Sequence, residues 1–100
     1  QYYDKDSISI NVDNPDEVLF IEKSLFINNQ TFGDMIIYNN ERYQISINCR
    51  EKTSTTFSNG VIEFWMDDNL VLRDDAFPLP NTNKIKKGNY KAFLHRRVCN

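Results

Sequence analysis

Alternation of apolar and polar positions dominates this chain. Ile8, Ile10 and Val12 alternate with Ser7, Ser9 and Asn11, the period of a half-buried strand. Asn14, Pro15 and Asp16 break that run, because proline has no N–H for a ladder and Asn and Asp favour turns. Val18 to Ile21 is a short apolar run, interrupted by Glu22, Lys23 and Ser24 before Leu25, Phe26 and Ile27. Asn28 and Asn29 are expected to turn the chain into a strand from Thr31 to Tyr38. Asn39, Asn40 and Glu41 are expected to form a hairpin loop, since Asn tolerates positive φ. Arg42 to Cys49 is the cleanest period-two segment and places Tyr43, Ile45, Ile47 and Cys49 on one face.

Glu51 to Ser58 is polar and threonine-rich, compatible with a strand. Asn59–Gly60 is a hairpin turn signal, followed by a strand over Val61 to Met66. Asp67 to Asn69 reads as a second turn and Leu70 to Arg73 as a last strand, so a meander is expected here. Trp65 is expected to pack under a loop or to stand exposed for contact. Pro78 and Pro80 mark an irregular connector. Beyond Gly88 the period changes: Tyr90, Phe93, Leu94 and Val98 have helical spacing, with Asn89 as N-cap and cations in the last turn.

These elements predict an α+β fold: a curved antiparallel sheet of about six strands with one C-terminal helix on a face. The 100 residues make one domain, with an N-terminal strand and flank over 1–14, sheet over 15–75, connector over 76–88 and helix over 89–99. A chain this short has a small core, so a covalent staple matters. Cys49 and Cys99 are the two cysteines. They are either bonded or both buried as free thiols, and the even number in a short chain favours the bond. Closing a loop of roughly 50 residues stabilises by about 4 kcal/mol in the chain-entropy model. A disulfide would also place the chain in an oxidising compartment. The chain opens at Gln1 on polar residues with no signal-peptide pattern, as a processed mature chain would. No run approaches the length of a membrane span.

Charge is unevenly placed. Residues 1–75 hold fourteen acids and six bases; residues 76–100 hold six bases and no acid. Lys84, Lys86, Lys87, Lys91, Arg96 and Arg97 therefore form a basic segment on an acidic body. Either the segment docks beside that body, or it is an anion-binding face for an acidic partner. Catalytic and metal chemistry find little support. His95 is the only histidine, expected on the exposed side of the helix without a nucleophile, and no C-x-x-C pair is present. Asp67, Asp68 and Asn69 lack the twelve-residue spacing of a calcium loop. No cofactor is expected, and the net negative charge argues against nucleic acid.

Three stretches together resemble the bacterial surface-adhesin protein E family over roughly residues 15–99. They are Val18 to Leu25; the strand from Tyr43 to Cys49 with Val61 to Phe64 and Leu70 to Leu72; and Phe77, Pro78 and Leu79 leading through Gly88 and Tyr90 to Cys99. The resemblance implies an antiparallel sheet whose C-terminal helix is clamped by a Cys49–Cys99 disulfide. It implies an exported periplasmic, lipid-anchored or secreted envelope protein. It also implies binding to a protein partner, either a host extracellular protein such as vitronectin, laminin or plasminogen, or an envelope component. The expected function is thus a non-enzymatic, adhesin-like binding module, with the basic segment attracting acidic partners. The alternative is a small inhibitor or immunity protein that blocks an enzyme through Asp67, Asp68, Asp74 and Asp75.

Overall fold

Two long strands form the spine. In the computed structural model, which describes residues 2–33, 35–76 and 78–99, β2 (Asn14–Phe32) and β3 (Ile36–Asn48) make one extended hairpin. Its pairing follows the apolar alternation: Val18, Phe20 and Glu22 stand opposite Ile47, Ile45 and Tyr43. Directly opposite residues share a face, so this row forms one side of the sheet. β1 (Tyr2–Asn11) adds antiparallel to β2. β4 (Thr53–Thr56) and β5 (Ile62–Met66) both add to β3. β6 (Asn69–Asp74) pairs with β5, and β7 (Asn81–Lys84) with β4. Among the described residues the sheet is antiparallel, seven-stranded and open, leaving β1, β6 and β7 at free edges.

The helix α1 (Tyr90–Val98) covers the apolar row. Asn89 caps it as expected, its side chain accepting from the Ala92 N–H at 3.0 Å. Leu94 is completely buried among Phe20, Ile45 and Ile47, with Tyr3, Tyr43, Ile85, Tyr90, Val98 and Cys99 around them. The Tyr3 ring meets Phe20 edge-on at 5.8 Å. Cys99 is bonded to Cys49, with Cα atoms 5.5 Å apart. The end of the helix is therefore fixed to the end of β3.

The expected antiparallel sheet with a disulfide-held C-terminal helix is present, with seven strands among the described residues. Several finer expectations are revised. Val18 to Ile21 and Leu25 to Ile27 belong to one strand, because Glu22, which looked like an interruption, faces the core beneath the helix. Asn28 and Asn29 sit in a register break of β2 rather than a turn. Asn39, Asn40 and Glu41 lie inside β3, and the reversal comes at Gly33, whose φ is +65°. Asn40 stays extended because its buried amide donates to the Trp65 and Asp67 carbonyls, sealing the β5–β6 hairpin end.

Asn59–Gly60 turns the chain but joins no paired strands. β4 takes Ile45 to Asn48 of β3, and β5 takes Asn40 to Tyr43 of the same edge. The two run in the same direction, end to end, so residues 57–61 only step between them. The expected meander is real only for β5 and β6, where Met66 and Asn69 pair across a turn with Asp67 at φ 52°. Phe77, one of the residues behind the family resemblance, lies outside the described residues.

The Cys49–Cys99 bond closes a separation of 50 residues, and the double variant Cys49→Ala/Cys99→Ala should lose about 4 kcal/mol. In a domain of this size that is a drop of about 15–30 °C in the midpoint of a thermal melt followed by circular dichroism. An unchanged midpoint would mean the bond does not constrain the unfolded chain.

Candidate functional site

Of the six cations expected to act together, the fold draws two away from the others. Lys91 turns inward: its ammonium stands 3.4 Å from Oε2 of Glu22, and only a quarter of its side chain is exposed. Arg97 lies over the Phe93 ring, its guanidinium carbon 5.5 Å from the centroid. Lys84 ends β7, and Lys86 and Lys87 follow in the exposed loop before the helix. Lys87 and Arg96 line a cleft of about 410 Å³ with Lys52, Ile85, Ala92 and His95.

Lys52 was not among the expected residues. It sits just before β4, opposite the end of β7, and its carbonyl accepts from the Ile85 N–H at 2.9 Å. Only the β4–β7 pairing brings it to the cleft, so no local pattern could reveal it. His95 is half-buried rather than on the outer face, and its Nε2 is 3.2 Å from the Cys49 carbonyl oxygen. Among the described residues, no carboxylate pairs with Lys52, Lys84, Lys86, Lys87 or Arg96. The exposed basic surface is thus Lys52, Lys84, Lys86, Lys87 and Arg96 around an apolar floor of Ile85 and Ala92.

The acidic residues expected to serve inhibition are tied into the chain. Asp67 exchanges hydrogen bonds with the Asn39 amide at 2.9 Å. Asp68 is 3.6 Å from the Arg42 guanidinium, and Asp75 is 3.8 Å from that of Arg73. Asp74 accepts from the Ala76 N–H. Arg42 also lies over the Trp65 ring at 3.8 Å, while the Trp65 indole N–H donates to Glu63 at 3.1 Å. Trp65 is therefore neither under a loop nor a free aromatic: it is a platform for a cation on the face away from the helix.

The most unusual titratable cluster lies under the helix. Glu22 is fully buried, and its Oε1 has no hydrogen-bond partner among the described residues. Tyr90 packs at the same place. Burial, then the Glu22 charge, then Tyr3 and Tyr43 push its phenol up to about 12. Glu41 and Tyr38 are also raised, each chiefly by burial. A buried carboxylate held by one ammonium fixes which part of the helix faces which part of the sheet. Removing one member leaves the other charge stranded.

Lys91→Met should therefore destabilise by about 2–3 kcal/mol in urea unfolding, a figure reduced because Lys91 is partly exposed. Glu22→Met/Lys91→Met should recover most of that loss; a neutral single variant would mean the pair does not hold the helix. Tyrosine absorbance should show one phenol ionising at about 12 that vanishes in Tyr90→Phe. Because the folded value lies above the ordinary 10.0, this group's contribution is intact below pH 10 and lost between pH 10 and about 12. Alkaline unfolding of the wild type should begin in that window.

No protein-family model matches the chain, and no curated protein matches it. Its fold is nevertheless similar to that of Haemophilus influenzae protein E in two solved structures. In crystal form II the TM-score is 0.76 at 15% identity, covering 98% of this chain and 78% of that one. In the other the TM-score is 0.77 at 15% identity, covering 98% and 75%. The resemblance read from the sequence is thereby shown at the level of the fold: an open antiparallel sheet with a disulfide-clamped C-terminal helix.

Proposed function

We propose that this chain is an exported, non-enzymatic binding module of a bacterial envelope, adhesin-like, that contacts protein partners through its basic end. The observation that carries this reading is the set of five exposed cations around the β7–α1 cleft, without a pairing carboxylate among the described residues. Lys91, by contrast, is turned inward onto Glu22.

Three further points support it. The Cys49–Cys99 bond suits an oxidising compartment outside the cytoplasm. The shared fold with Haemophilus influenzae protein E agrees with the surface-adhesin resemblance read from the sequence. The groups with raised pKa, Tyr38, Glu41 and Tyr90, are perturbed mainly by burial rather than by a base that would activate a nucleophile. Among the described residues, no helix is long and apolar enough to cross a membrane.

Immobilised extracellular glycoproteins, assayed by surface plasmon resonance, test the reading. Binding should weaken at least tenfold between about 50 and 500 mM salt, as expected when exposed charges drive association. Lys84→Ser/Lys86→Ser/Lys87→Ser/Arg96→Ser should abolish the salt-sensitive part. Binding indifferent to both salt and these substitutions would move the contact elsewhere on the molecule.

A further inference from the structure

The three free edges of the sheet differ in what they offer. An exposed edge presents unpaired N–H and C=O groups to any extended chain, and proteins blunt such edges with bulges, charges or prolines. β1 has a register break between Asp4 and Ser9 and carries both signs of charge in Asp4, Lys5 and Asp6. β6 has a register shift near Phe64 and Trp65 and ends on Asp74, with Arg73 held by Glu63 and Asp75. β7 has no register break, and its one charge, Lys84, stands at the end that runs toward the cleft. Asn81, Thr82, Asn83 and Lys84 are all exposed, in unbroken register with β4, and the nearest proline is Pro80, outside the strand.

The surroundings of β7 select a partner by charge. No acid occurs between residue 76 and the chain end, and Lys52 and Lys84 flank the point where the strand runs into the cleft. Two copies of β7 side by side would bring two acid-free basic ends close to each other, so charge favours an acidic partner over self-pairing. An acidic strand meets the reverse situation. The cleft floor is apolar at Ile85 and Ala92, beneath Lys87 and Arg96, which suits an apolar side chain between carboxylates. A sulfated glycan would use the cations but neither the floor nor the edge amides.

We infer that β7 is a docking edge for an extended acidic peptide segment of a partner protein, which adds as a further strand and lowers an apolar side chain into the basic cleft. This rests on the reading of the basic end as the contact surface and specifies how contact is made. Main-chain pairing supplies the affinity, and the cations with the cleft supply selectivity.

The test uses the intact chain and a labelled, end-blocked hexapeptide alternating glutamate and valine. Two analogues carry N-methyl groups on one or the other alternate set of amides, and a sulfated dextran oligosaccharide is the third probe. Fluorescence anisotropy should show saturable binding of the parent peptide. One methylated analogue, the one losing the donors that face β7, should bind at least tenfold more weakly, and the other nearly as well as the parent. Lys52→Glu/Arg96→Glu, checked for fold by circular dichroism, should also lose at least tenfold. If both analogues bind like the parent while the charge reversal abolishes binding, contact is electrostatic only. Strand addition is then wrong although the basic contact surface stands. Binding of the sulfated oligosaccharide without the peptide likewise rules out strand addition and leaves the basic surface standing. If no probe binds and the glycoprotein binding is also insensitive to salt, the contact-surface reading falls as well.

Discussion

The C-terminal helix has to stay on the sheet for anything else in this molecule to hold. Nine residues make a helix too short to persist alone in water. Its stability comes from what it touches: Leu94 over Phe20, Ile45 and Ile47, and Cys99 fixed to Cys49. The sheet needs the helix equally, because the apolar row of β2 and β3 would otherwise face water. The bond at the end of the helix converts a weak mutual dependence into a single unit. It also holds Lys87 and Arg96 across the cleft from Lys52, so the basic surface exists only while the helix is seated.

The buried pair of Glu22 and Lys91 adds direction rather than adhesion. Burying a carboxylate is expensive, and one ammonium at 3.4 Å with one oxygen unpartnered among the described residues offsets that only in part. What the pair does supply is registry: a helix rotated or shifted by one turn would leave Glu22 uncompensated. Tyr90, raised to about 12 in the same place, belongs to this seam. The molecule thus separates its charges by role. Lys91 serves the seam, Arg42 the Trp65 face, and the cations around β7 the outside.

How much of this was legible in the sequence depended on burial. The alternation from Tyr43 to Cys49, the helical spacing from Tyr90 to Val98, the Asn89 cap and the acidic turn after Met66 were legible because each couples local pattern to one buried face or one special backbone position. Asn39 and Asn40 misled because their side chains close the β5–β6 hairpin from within a strand instead of turning the chain. Asn59–Gly60 misled because β3 is long enough to take two strands in line on one edge. β7 was invisible because an edge strand exposed on both faces has no hydrophobic period. The candidate surface was half legible: the basic segment stood out in composition, but Lys52 joins it, and Lys91 leaves it, only through tertiary contacts.

Hydrogen exchange with and without reductant tests the clamp most directly. Reducing Cys49–Cys99 should release the amides of Tyr90 to Val98 first and then weaken protection at Phe20, Ile45 and Ile47, the residues Leu94 covers. Unchanged protection of the helix after complete reduction would contradict the clamp, and would show that packing alone seats the helix on the sheet.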